Sequence, residues 1–218
     1  MRENIAEFIG TFFLVFVGTG AIIMNHMFDG VITNLGIGAS FGLIVMAIIY
    51  AIGDVSGAHL NPAVSFGFWM SKQISCRKFC HYSISQVLGA CAASGLYRLM
   101  FGTPALLGAT TANGPILAVF IMEIILTTLL MFVILSVSTG SKEKGIMAGI
   151  AVGGIIGLEA IFAGPLTGAS MNPARSLAPA LFSLHWDALW IYLTAPFIGA
   201  FIAVPSCKLT RQDNCCIR

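Results

Sequence analysis

Six separate stretches of roughly twenty mostly apolar residues dominate this chain, at about 4–24, 35–54, 80–100, 116–138, 145–163 and 187–206. Each is long enough to cross the hydrocarbon core of a bilayer as a helix. In lipid every backbone N–H and C=O must be satisfied within the segment, and the α-helix does this. Two further apolar stretches, Asn61 to Met70 and Asn172 to Phe182, are too short to span. Segments of that length are expected to be re-entrant or buried. The first stretch carries Arg2, Glu3 and Glu7 and then stays apolar for a full span, so it reads as a membrane helix rather than a cleavable leader.

Composition agrees. Of 218 residues, 57% are hydrophobic and 9% charged, where a soluble domain carries about 25% charged residues. A soluble fold of this size would leave large apolar patches in water. One helical bundle is therefore expected over 1–206, followed by a cytoplasmic tail at 207–218. A net charge of +2 and the lack of a basic patch with interleaved aromatics exclude a nucleic-acid partner. Membrane lipid is the partner that the composition implies.

The basic residues set the orientation. Arg2, Lys72, Arg77, Lys78, Lys142, Lys144, Lys208, Arg211 and Arg218 fall at the N-terminus, after the second and fourth spans, or at the C-terminus. With six spans these regions share one side, which the positive-inside rule makes the cytoplasm. Only Arg98 and Arg175 lie elsewhere. An integral protein of the plasma (inner) membrane with both termini cytoplasmic is expected. Most of the six cysteines fall on that reducing side, so no disulfide framework is expected. Cys215-Cys216 reads as part of a disordered tail.

The chain also repeats itself. Ser56-Gly57-Ala58-His59-Leu60-Asn61-Pro62-Ala63-Val64-Ser65 matches Thr167-Gly168-Ala169-Ser170-Met171-Asn172-Pro173-Ala174-Arg175-Ser176. Glu7 and Thr11 likewise match Glu123 and Thr127. The halves, about 1–105 and 116–206, hold three spans each, and an odd number forces the second half in from the opposite face. Inverted repeats of this kind put broken helices and transport sites at the bilayer midplane. Asn61 and Asn172 are suited to cap a helix, with Pro62 and Pro173 at its first position. Two half-helices should start there, their positive ends meeting near the midplane. The expected fold is an all-α membrane protein with six transmembrane helices and two re-entrant half-helices.

The doubled motif, Asn61-Pro62-Ala63 and Asn172-Pro173-Ala174, with Arg175 after the second copy, resembles the signature of the major intrinsic protein family, the aquaporins and aquaglyceroporins. The resemblance covers almost the whole chain and includes Glu7, Glu123 and Pro196. Ile161 to Arg175 is most similar to nodulin-26-like intrinsic proteins and their prokaryotic relatives. It implies a passive channel for water and small uncharged solutes, a homotetramer with one pore per subunit, and no cofactor, metal or catalytic residue.

The resemblance also implies a selectivity filter at Phe41, Ala160, Ala169 and Arg175. Ala160 is a departure, because water-selective members commonly carry His there. With Ala169 also small, the expected filter is wide enough for glycerol, urea, or neutral metalloid hydroxides such as arsenite, boric or silicic acid. Ser176 and Ala180 resemble the water-channel pattern, whereas Leu193 resembles the solute-channel pattern. Asn61 and Asn172 are expected to donate to permeating oxygens. Gly57, Ala58, His59, Gly168, Ala169 and Ser170 are expected to line the pore with carbonyls. Glu7 and Glu123 read as structural acids that accept from loop N–H groups. Glu159, beside Ala160, finds no role in this scheme.

Two other readings stay open. A water-selective aquaporin would share the motifs. An ion-coupled secondary transporter would also use inverted repeats, but needs titratable groups at the midplane, where these loops offer amides and carbonyls. An enzyme is disfavoured: His26, His59, His81 and His185 are scattered, and no nucleophile–base spacing stands out.

Overall fold

A computed structural model of the chain describes residues 1–138 and 146–210. Among these are eight helices and no strand: α1 (Arg2–Met27), α2 (Thr33–Ser56), α3 (Pro62–Met70), α4 (Cys76–Phe101), α5 (Ile116–Ser138), α6 (Ala148–Thr167), α7 (Pro173–Ser183) and α8 (Leu189–Thr210). Six are long, and α3 and α7 are the two short ones that the sequence led us to expect. The last long helix runs four residues past the expected end of the bundle at 206, to Thr210. Lys142, Lys144, Arg211, Arg218 and the Cys215-Cys216 pair lie outside the described residues.

Five of the long helices, all but α4, are long and apolar enough to cross a membrane. The 26-residue α4 is as long as α1 but more polar. The cause is local: Arg77 and Lys78 lie in its first turn, Arg98 in its last, and Gln86 and Ser94 are buried inside the bundle. Gln86 and Ser94 face the interior rather than lipid, while Ile84, Leu88 and Leu99 remain exposed on the helix's outside.

The repeat is visible in the helix ends. Helices α2 and α6 both stop at a left-handed glycine, Gly57 at φ 87° and Gly168 at φ 77°, whose N–H bonds back to Gly53 O and Gly164 O. Glycine takes this conformation without a Cβ clash. Both α3 and α7 start on an extended asparagine, with proline at the first helical position. The helices pack as pairs around the centre, α2 against α6 and α5 against α8, with α1 against α4 on one flank. A continuous core joins both halves, running from Leu14 and Phe41 through Leu60 and Met171 to Val204. Cys76, Cys80 and Cys91 are free thiols. Cys207 is disulfide-bonded.

Candidate functional site

Between each left-handed glycine and its half-helix the backbone is irregular. Ala58 (φ 47°) and Leu60 (φ 56°) in the first loop, and Ala169 (φ 40°) and Met171 (φ 52°) in the second, all stand at positive φ. Such residues cost of order 1–2 kcal/mol each. They persist where the surroundings over-determine them.

Two buried glutamates supply much of that determination. Glu7, on α1, accepts through Oε1 from Ser56 Oγ (2.7 Å) and His59 N (2.9 Å), and through Oε2 from Leu60 N (2.8 Å) and Gln86 Nε2 (2.8 Å). Glu123, on α5, accepts from Ser170 N and Met171 N, both at 2.9 Å. Each carboxylate thus takes the consecutive N–H groups just ahead of its asparagine. Tyr82 and Tyr192 add a matching pair, their hydroxyls donating to Ser56 O (2.8 Å) and Thr167 O (2.7 Å), at the last residue of α2 and of α6.

The asparagines join the two loops. Asn61 Oδ1 accepts from Ala63 N at 2.8 Å, and Asn172 Oδ1 from Ala174 N and Arg175 N at 3.0 and 3.3 Å. These are helix caps. Their amides cross over: Asn61 Nδ2 donates to Met171 O (2.7 Å) and Asn172 Nδ2 to Leu60 O (2.9 Å). An amide NH2 carries two hydrogens, so each asparagine keeps one after its structural bond.

Around these loops runs a cavity of about 100 Å³. Its walls include Gly57, Ala58, His59, Asn61, Ser170 and Asn172, and the four expected filter residues Phe41, Ala160, Ala169 and Arg175. Helices α2, α5 and α6 contribute aliphatic lining, with Val45, Leu130, Ile134 and Val152. Arg175 is 2% exposed; its Nη1 donates to Gly108 O at 2.8 Å and its guanidinium lies 5.1 Å from the Phe41 ring centroid. His59 stacks on Phe68 at 4.4 Å and meets Ser65 Oγ through Nδ1 at 3.0 Å.

Some expected residues stand behind the wall. Pro62, Ala63, Pro173 and Ala174 are buried in the first turns of α3 and α7 and do not border the cavity. Gly168, also expected along the pore, is not among the residues that border the cavity. As the left-handed cap of α6 it turns against Thr110, whose Cγ2 would be 3.1 Å from a Cβ placed there. Glu159 is fully buried outside the cavity lining, with neither oxygen hydrogen-bonded.

Four contributors went unread in the sequence. Tyr82 and Tyr192 could have been found, since both sit near the start of the third span of their half. Gln86, which reaches both Glu7 and Ser65 Oγ (3.0 Å), has Pro196 at the matching place in the second half and gave no repeat signal. The Gly108 carbonyl ends a turn, Pro104–Gly108, that holds Ala105, Leu106 and Leu107 at positive φ, and side-chain patterns do not report such a contact.

Residues 1–205 match the family described as "Major intrinsic protein". The chain is 47% identical to "Aquaporin NIP1-4" of Oryza sativa subsp. japonica, over 92% of this chain and 73% of that protein. It is 41% identical to "Nodulin-26" of Glycine max, over 92% and 74%. Its structure is similar to the X-ray structure of the aquaglyceroporin from Plasmodium falciparum, with a TM-score of 0.85, 30% identity, and coverage of 98% of this chain and 96% of that one.

Proposed function

Because this chain belongs to the major intrinsic protein family and is a channel for water and small neutral solutes, we propose that its filter is built for solutes wider than water. Glycerol, urea and neutral metalloid hydroxides such as arsenite, boric or silicic acid are the candidates. The observation that carries this reading is that two small residues, Ala160 and Ala169, line the same cavity as Phe41 and Arg175. The small pair leaves width; Phe41 gives an apolar surface, and Arg175 a fixed donor.

Permeation follows from the polar strip and the aliphatic lining. A solute hydroxyl accepts from Arg175 and then from the spare amide hydrogens of Asn61 and Asn172. The carbonyls of Gly57, Ala58, His59, Ala169 and Ser170 accept hydrogen bonds from its O–H groups in turn. No partner holds the solute on its apolar side, so it moves on. The positive ends of α3 and α7, together with Arg175, oppose cations and orient water so that a proton wire is broken. Among the described residues, His59 and Arg175 are the only titratable side chains on the cavity wall. That described wall carries no carboxylate, which disfavours ion coupling.

The distribution of basic residues supports a plasma (inner) membrane protein with both termini cytoplasmic. Resemblance supports a homotetramer.

Stopped-flow light scattering on proteoliposomes tests the filter reading. Glycerol should give rapid shrinkage followed by protein-dependent reswelling, while an impermeant osmolyte gives shrinkage alone. Shrinkage without reswelling in glycerol, urea, arsenite and boric acid alike would make the filter water-selective.

A further inference from the structure

Two free thiols stand apart from the pore. Cys76 and Cys80 occupy the first turns of α4 and both are exposed. Residues four apart share a helix face, with Cβ atoms about 5–6 Å apart. The two thiols are close enough to interact with each other through their side chains. Cys91 is a single partly buried thiol further along the same helix, and Cys207 is disulfide-bonded. Cys76 and Cys80 are thus the one pair of free thiols a single turn apart on one helix face among the described residues.

The turn that carries them is held in place. Ser75 Oγ caps α4 by accepting from Lys78 N at 3.2 Å. Lys78 Nζ bonds Glu3 Oε1 at 2.9 Å and lies 5.1 Å from the Tyr82 ring centroid, tying this turn to α1. The thiol spacing is therefore set before any ligand arrives, which lowers the ordering cost of binding.

We propose that Cys76 and Cys80 form a dithiol site for trivalent arsenicals. Coordination number selects the ligand. No group of three or more His, Cys, Asp and Glu able to hold a metal ion occurs among the described residues. Zinc, which needs about four ligands, is poorly served by two sulfurs. Trivalent arsenic needs only two when its third bond goes to carbon or hydroxyl. With an arsine oxide, two As–S bonds form, the arsenic–oxygen double bond breaks, and the oxygen leaves as water with both thiol protons. Arsenic stays trivalent and nothing is oxidised or reduced. The site does not depend on which solute permeates.

The test is phenylarsine oxide added to the purified full-length chain in detergent, followed by intact mass and tryptic mapping. Trypsin cuts at Arg77 and Lys78, between the two cysteines, so a bridge leaves a cross-linked pair of peptides, one ending at Arg77 and one beginning at Phe79. We expect that pair, released by 2,3-dimercaptopropanol and not by an equal concentration of a monothiol. Cys76→Ser and Cys80→Ser should each lose it, and Cys91→Ser should keep it. A bridge that survives Cys76→Ser or Cys80→Ser, or label that a monothiol removes, overturns the proposal. Because the readout is binding in detergent, it is unaffected if the filter reading fails in proteoliposomes.

Discussion

Gly42 and Gly153 face each other so closely that a Cβ on either would stand 2.5 Å from the carbonyl oxygen of the other. They occupy matching places in the two halves, one on α2 and one on α6, and the obstacle is backbone that cannot swing aside. Gly42→Ala or Gly153→Ala should force the helices apart and cost about 1–3 kcal/mol, the usual scale for overpacking. Phe41 adjoins Gly42 and Ala160 lies on α6, so the filter should loosen as well. Gly154→Ala is the control, since nothing lies within 4 Å of a Cβ there. Thermal unfolding in detergent should separate the pair from the control; equal melting temperatures would contradict this packing.

The spans and half-helices were legible because their signals are local. Apolar length marks a span, and Asn-Pro marks the start of a buried helix. Helix α4 shows where composition weakens: Gln86 is turned inward by a network that joins it to Glu7 and Ser65, a contact across distant parts of the chain. The left-handed residues Ala58, Leu60, Ala169 and Met171 were not legible at all. Nothing in an alanine or leucine announces positive φ; the carboxylates of Glu7 and Glu123 impose it. Arg175 could be singled out from its place after the second motif, but its anchor on Gly108 is a backbone carbonyl, which any residue supplies.

Those carboxylates give the second prediction. Glu123 accepts two loop N–H groups, one on each oxygen. Glutamine has the same shape but turns one acceptor into an NH2 that meets an N–H head-on. Glu123→Gln should destabilise the chain by about 1–3 kcal/mol, the cost of a buried donor left without its acceptor. Glu7→Gln should behave alike, since both Glu7 oxygens also receive loop N–H groups. Unfolding midpoints and water flux should fall together. Unchanged values for both variants would show that the loops hold themselves.

Arg175 carries the third. Its Nη1 is fixed on Gly108 O and its guanidinium faces Phe41, so a positive charge is held still at the cavity wall. Arg175→Ala should leave water flux in place and raise cation or proton conductance above that of empty liposomes. If conductance stays at the empty-liposome level, the half-helix ends alone suffice and Arg175 is not the barrier.

Ala160 carries the fourth. It borders the same cavity as Phe41 and Arg175 and adds almost no bulk. Ala160→His should fill that space and add a polar group, cutting glycerol or urea flux more than water flux in proteoliposomes. Equal loss of both would mean that the residue blocks the pore generally and that the narrowest point lies elsewhere.

Glu159 is the buried acid that no partner explains. It is 0% exposed, neither oxygen is hydrogen-bonded, and it does not border the cavity. Counting back equally from the two asparagines sets it opposite Ile48, an apolar residue. A buried polar group without a partner costs about 1–3 kcal/mol, and well-packed apolar replacements of buried charged groups are often neutral or stabilising. Glu159→Leu should therefore keep or raise the unfolding temperature and leave both water and solute flux intact. A lower unfolding temperature would show that the carboxyl is bonded in the folded protein. Retained stability with altered selectivity would instead make Glu159 a positioning residue for Ala160, acting on the filter from behind its wall.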